Sequence, residues 1–358
     1  MSGATTGKMG VYVDENIAYL NQRVGNLKIK SQKILPNYRN FILYFLKELI
    51  LYKAYGTAQP NISKPMLESL KIPLPPLEIQ TQIVAECESL ESRCNAIEQS
   101  IKAYQELIKA ILWHCGITTE STKDFDSILM SLAELESKLD FKLLGKTKQD
   151  SNAFLQNLTN TLNTLPTPPS NGWEKVKLDA ITNIQSGGTP DRKIQNYWNG
   201  NINWIKSEVC QNCYVYEYQV KEKITDLGLQ KSSAKLFKRE TTLIALVGAT
   251  IGKIGFLTFE SATNQNVAGL YPKDTKILNT KYLYYASLGL YSNFKQLGNF
   301  AMANSSFIKN LMIPLPPLEI QTKITQSIET IQSQISFLDS ALPLLQSQKQ
   351  EVLKKYLF

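Results

Sequence analysis

The chain has 358 residues, 43% hydrophobic and 20% charged, with a formal net charge of +8. That composition fits a soluble protein with room for two or three domains, and the lack of any run of about 18 apolar residues predicts no membrane span. Five cysteines, an odd number, and an N-terminus without a signal-peptide pattern point to a reducing cytoplasm rather than a disulfide scaffold.

In chain order, residues 1–71 form a small globular segment. GATTGKMG at 3–10 and NQRVG at 21–25 mark it, and VGNLKI and NFILYFLKEL predict a strand and a helix. The phrase IPLPPLEIQT follows at 72–81 and returns unchanged at 313–322, an offset of 241. Repetition of this kind fixes the architecture before any local motif is read. After the first copy, Ile83, Cys87, Leu90, Cys94, Ile97, Ile101, Tyr104, Ile108 and Ile111 alternate steps of four and three. That is a heptad seam of period 3.5. Pro75-Pro76 and Glu78 suit the start of this helix and Gly116 its end, so 72–115 is a long helical segment.

Residues 116–171 join it to the next unit. Phe125, Ile128, Leu129, Leu132, Leu135 and Leu139 predict one short amphipathic helix, and the Asn/Thr/Ser-rich remainder, ending in LPTPPSNG, predicts a linker.

Residues 172–312 form a second, larger head. WEKVKLDAI at 173–181 predicts a strand and short turn, and SGGTPDR at 186–192 a loop. TTLIALVG and KIGFLTF predict strands joined by a hairpin-like turn, and KYLYYASLGL predicts a helix. GATIGKIG at 248–255 answers GATTGKMG, and NQNVAG at 264–269 answers NQRVG. The first head therefore lacks a part equivalent to roughly 172–247, so that either the chain starts late or another polypeptide supplies it. A complementing half-domain or a homodimer is expected. After the second copy of the phrase, 313–358 repeats the helix, with a seam at Ile324, Ile328, Ile331, Ile335, Leu338, Leu342, Leu345, Lys349 and Val352. Pro343 is expected to kink it or break one turn.

Charge divides along the repeat. Residues 1–71 hold 10 Lys+Arg and 4 Asp+Glu, and 172–312 hold 17 and 10, whereas the helical parts hold 12 and 17. Positive heads on negative helices suggest contact with a phosphate backbone. A helix from Ile83 to Ile111 is about 43 Å long at 1.5 Å per residue, enough to hold two readers along about 12 base pairs.

Other chemistry is disfavoured. GATIGK has one residue too few for a phosphate loop, Cys210 and Cys213 lack a second pair, and the single histidine, His114, sits at a helix end. No Asn-Pro-Pro-aromatic motif of an adenine methyltransferase occurs.

GWEKVKL, SGGTP, YWNGNINWIK, GATIGK, NQNVAG and the IPLPPLEIQ helix start, in that order, resemble the DNA specificity subunit of bacterial type I restriction-modification systems. The resemblance implies an α+β fold in which two target recognition domains read a split double-stranded DNA sequence and two antiparallel coiled-coil helices act as spacer. It implies a subunit that is not itself catalytic and holds no cofactor. Methyltransferase (M) subunits would carry S-adenosylmethionine, and restriction (R) subunits, using ATP and Mg, would cut. The candidate DNA contacts are Gly187, Gly188, Thr189, Arg192 and Lys193 in one loop, then Asn203, Lys206, Lys253 and Gln265, and in the first head Lys8, Gln22 and Arg23. Gln and Arg can read adenine and guanine bidentately, and loop glycines can offer backbone N–H groups to phosphate. Trp198 and Trp204 are expected in the core rather than stacked on bases. Two other readings stay open: the specificity portion of a single-chain restriction-methylation enzyme, and a coiled-coil scaffold that binds no DNA.

Overall fold

The computed structural model describes residues 8–22, 24–47, 50–51, 63–119, 124–295 and 303–357. The fold is α+β. Its principal helices are α1 (Pro36–Phe45), α2 (Leu77–His114), α3 (Phe125–Glu136), α4 (Lys148–Leu162), α5 (Thr280–Leu288) and α6 (Leu318–Leu357). None of the helices among the described residues is long and apolar enough to cross a membrane. The chain divides into two compact units, one of Met1–Ile101, Leu135–Thr147 and Ser336–Phe358, the other of Lys102–Glu134 and Lys148–Ile335.

The first unit is helical. Tyr38, Phe41, Ile42, Leu46 and Ile50 are buried against Ile83 and Cys87 of α2 and Leu353 of α6. Lys349 pairs with Glu91 and lies 4.5 Å from the Phe41 ring, while Tyr356 donates to Glu86 at 2.6 Å. The α6 number rises as the α2 number falls, so the two segments run antiparallel here.

The seam is buried as its period predicts. Ile83, Leu90, Ile97 and Ile108 on α2 are buried, as are Ile324, Ile331, Leu338 and Leu345 on α6, with Ile101 and Leu342 half-buried. Pro343 does not end a turn: α6 runs unbroken through it. An internal proline costs about 3 kcal/mol. Burial of Leu338, Ala341 and Leu345 on both sides of it outweighs that, at about 1.5–3 kcal/mol for a buried leucine. Gly116, at φ +68, closes α2 as predicted. Its N–H reaches the Trp113 carbonyl and the Ile117 N–H the Leu112 carbonyl, which is the Schellman arrangement.

The repeated phrase builds the same junction in both units. In the first, the fully buried Gln80 donates to the carbonyls of Lys33 and Pro75, both at 2.8 Å, and accepts from the Leu35 N–H at 2.9 Å. In the second, Gln321 donates to Ile277 and Pro316 and accepts from the Asn279 N–H, all at 2.9 Å. Each glutamine thereby ties the start of a head helix, α1 or α5, to the proline segment before a long helix. The Tyr38 hydroxyl likewise donates to the Pro73 carbonyl and that of Tyr282 to Pro314. Glu329 on α6 gathers Tyr214, Tyr285 and Lys281, and its counterpart Glu88 accepts from Asn37 at 2.7 Å. Burial pushes the Tyr214 and Tyr285 hydroxyls far up, so they remain protonated donors.

The second unit carries the sheets. Its strands are β1 (Lys175–Lys177), β2 (Thr182–Ser186), β3 (Trp198–Ile205), β4 (Cys213–Val215), β5 (Glu222–Ile224), β6 (Leu236–Phe237), β7 (Thr242–Ala245), β8 (Ile254–Leu257), β9 (Ser261–Thr263), β10 (Val267–Pro272) and β11 (Met312–Pro314). One sheet runs β2-β10-β7-β8-β4, a second β5-β3-β9-β6, and β1 pairs with β11. The β7–β8 hairpin closes through GATIGK, with Gly248 and Gly252 at φ +72 and +74; the motif is a turn.

Two expectations fail. The supposed linker after α3 contains α4, whose Leu158 and Leu162 are buried. VGNLKI forms no strand. The reason lies in the second head, where β8, β9 and β10 never pair with one another. Each pairs only with β2, β3, β4, β6 or β7, all of which precede residue 247. The repeat gives residues 8–71 counterparts of the later strands alone, and strands without partners have no ladder to join. Val24 and Leu27 are 52% and 44% exposed, while their counterparts Val267 and Leu270 are 0% exposed.

Candidate nucleic-acid interface

The second head presents one chemically distinctive group at the loop after β2. Gly187 donates to the Val267 carbonyl at 3.0 Å and Gly188 to the Thr263 carbonyl at 2.8 Å. A Cβ on Gly187 would lie 2.0 Å from Thr263 Oγ1, and one on Gly188 2.4 Å from the Ser233 backbone. Only glycine allows that approach. Both N–H groups are therefore occupied inside the fold, and neither Gly187 nor Gly188 can cradle a phosphate. They clamp the loop so that residues 191–193 project.

Two indoles hold the projecting part. Trp204 Nε1 donates to the Gly188 carbonyl at 3.0 Å and Trp198 Nε1 to the Asp191 carbonyl at 3.1 Å. Their rings meet edge to face at 5.2 Å. Trp204 is core, as expected, with Ile224, Ala234 and Ala262. Trp198 is half-buried, and the Arg192 guanidinium lies 3.7 Å from its ring, a cation–π stack. Glu222 on β5 takes Arg192 on one carboxylate oxygen and Lys206, at 2.5 Å, on the other. The hydrogen bond from Arg192 holds the Glu222 carboxyl below the usual carboxylate range.

The remaining candidates scatter. Thr189 donates to Gln265 at 2.5 Å, joining the two motifs. The Lys193 N–H donates to Asp191 and its side chain is exposed. Asn203 is 9% exposed, and its amide donates to Glu217 at 3.0 Å and to the Glu260 carbonyl. It faces inward, held by these bonds, and is not placed to touch DNA; its neighbours Trp204 and Ile205 are buried as well. Lys253 donates to Gln211 at 2.7 Å, outside the tryptophan group. Lys8 and Gln22 are exposed in the first head, and Arg23 lies outside the described residues. Cys210 and Cys213 are not disulfide-bonded, and the described residues hold no group of three metal-ligating side chains. Sequence reasoning missed Glu222, which reads within Lys221-Glu222-Lys223 as one more solvated charge.

A family model, described as the type I restriction modification DNA specificity domain, matches residues 1–106 and 170–344. The chain belongs to this family. Among curated relatives, the type I restriction enzyme MjaVIII specificity subunit of Methanocaldococcus jannaschii is 24% identical over 348 residues, covering 91% of this chain and 68% of the relative. The EcoBI specificity subunit of Escherichia coli is 24% identical, with 88% and 62% covered. The MjaIX specificity subunit of M. jannaschii is 28% identical, but the match covers only 42% of this chain and 36% of that protein. The chain thus spans between about a third and two thirds of these relatives' lengths. Among solved structures, the type I S subunit of M. genitalium overlaps 92% of this chain and 74% of its own at a TM-score of 0.48 and 15% identity, a likeness too loose to build on.

Proposed function

We propose that this chain is the non-catalytic, DNA-reading specificity component of a type I restriction-modification complex. The observation that carries the reading is the match of the DNA specificity domain to both heads, the same segments that hold all of the chain's excess positive charge. In this reading the second head reads one half of a split double-stranded target. Arg192, Lys193, Lys206, Thr189 and Gln265 meet the duplex, the cations on phosphate or guanine and the amide on adenine. The long helices space the heads and seat M subunits, which bring S-adenosylmethionine. R subunits bring ATP- and Mg-dependent cleavage. We expect a homodimer or a complementing half-domain to supply the strand partners that the described residues of 8–71 do not provide, and light scattering distinguishes either from a monomer.

The test is a gel shift of the chain with its M subunits across salt concentrations, paired with methylome mapping of cells carrying both. Phosphate contacts require affinity to fall steeply as salt rises, and one mapped half-site should change when the 187–193 loop is replaced. Binding that ignores salt, or no binding, would favour a scaffold instead.

A further inference from the structure

The carboxylate of Glu222 stands where a DNA-binding surface would be expected to exclude negative charge. It is 27% exposed beside Arg192 and Lys206, themselves 50% and 41% exposed. Its position follows from the sheet: β5 pairs antiparallel with β3, and Glu222 lies opposite Trp204, on the face where the indoles support the loop. Each carboxylate oxygen takes a different cation. The guanidinium is thus fixed at two places, its flat face on Trp198 and one N–H on Glu222. Of its five donors, that one alone is engaged among the described residues, and the rest of the fork faces outward for a ligand.

We propose that Glu222 is a positioning residue that converts Arg192 from a phosphate binder into a base reader. This rests on the DNA-reading function proposed above. Two mobile cations on this face would settle on the phosphate backbone of any duplex, since that attraction is sequence-independent. The shared carboxylate cancels one of the two charges and repels phosphate, so random duplex gains little. A guanine offers something the backbone does not, the O6/N7 acceptor pair that a fixed guanidinium fork matches bidentately. Stacking on Trp198 removes rotamer freedom that would otherwise be lost on binding. The carboxylate therefore lowers non-specific affinity more than specific affinity.

The experiment uses the full chain with its M subunits and two duplexes of equal length, one bearing the sequence that methylome mapping identifies and one scrambled. Glu222→Gln should bind the scrambled duplex about fivefold tighter at 0.15 M salt, the worth of one further counterion released, and its salt slope should steepen by about one. Its preference for the mapped duplex should shrink by a similar factor. Glu222→Asp, which keeps the charge, should retain the wild-type slope. Arg192→Lys, which keeps the charge and loses the fork, should leave the slope alone and reduce the preference. A Glu222→Gln protein with unchanged slope and preference overturns the inference, as does equal loss of affinity for both duplexes, which would mark Glu222 as merely structural. Wild-type protein that binds neither duplex sinks the DNA-reading function itself, a result distinguishable from both because it appears before any substitution.

Discussion

Replacing Gln321 with leucine isolates the contribution of the repeated phrase. The side chain is fully buried and serves three backbone groups, the carbonyls of Ile277 and Pro316 and the N–H of Asn279. Leucine fills similar volume and serves none. Each lost bond is worth about 1 kcal/mol net, and a buried group left unsatisfied costs about 1–3 kcal/mol. The expected loss is therefore about 3–5 kcal/mol, a large part of the roughly 5–15 kcal/mol available to a domain. All four tryptophans (Trp113, Trp173, Trp198 and Trp204) lie in the second unit, so urea unfolding followed by tryptophan fluorescence reads it selectively. Gln80→Leu makes the same three-bond loss in the first unit and should lower the helical circular dichroism transition while leaving the fluorescence midpoint in place. Gln321→Glu should be no better than leucine, since a carboxylate cannot donate to either carbonyl. A fluorescence-detected loss below about 1 kcal/mol for Gln321→Leu would refute the clamp, because it would equal a single ordinary hydrogen bond.

Three further outcomes follow from the same contacts. Gly187→Ala should shift the 187–193 loop, destabilising the second head by about 1–3 kcal/mol by overpacking and weakening DNA binding; a variant with wild-type melting and gel-shift behaviour would contradict the clamp. Burial pushes the Cys87 thiol up to about 11 and those of Cys115 and Cys210 up to about 12. They stay almost wholly protonated between pH 7 and 9, so native-state alkylation read by mass spectrometry should remain far below that of an ordinary thiol of pKa near 8.5 at these three throughout that range. Amides of residues 25–27 should exchange with deuterium far faster than those of residues 267–271, and comparable protection would show that the first head builds strands by another route.

The parts legible in sequence were those whose bonding is local or periodic. The seam was legible because a 3.5-residue repeat needs no knowledge of the partner, and the Gly116 stop because a left-handed cap favours one residue type. Helix α4 was hidden by composition. Asn, Thr, Ser and Gln dominate it, and its weak signal, Leu155, Leu158 and Leu162 at helical spacing, is decided by burial rather than propensity. The glycine loop was misjudged for a different reason. Sequence marks Gly187-Gly188 as backbone able to approach something closely, and cannot say whether that is a phosphate or the strand carbonyls of Val267 and Thr263. Glu222 was invisible because its meaning comes from a cross-strand neighbour, Trp204, 18 residues earlier.

The contrast between the two heads separates what folds locally from what does not. In the first unit α1, the glutamine clamp and the Tyr38–Pro73 bond form as they do in the second, and the core of Tyr38, Phe41 and Ile42 closes on both long helices. None of these needs a sheet. Helix hydrogen bonds lie within the segment, and the clamp joins groups that a short loop already brings near. The counterparts of β8 and β10 depend wholly on strands elsewhere, and among the described residues of the first head they join no ladder, with Val24 and Leu27 exposed. The junction that sets a head on its helix is thus independent of the sheet that would read DNA. A recognition sheet can be exchanged or completed without rebuilding the junction, provided the glutamine, the tyrosine and the proline carbonyls are kept. The ten residues repeated without change contain that glutamine and the carbonyl-bearing prolines 73 and 75, or 314 and 316, while the sheet segments of the two heads share only fragments.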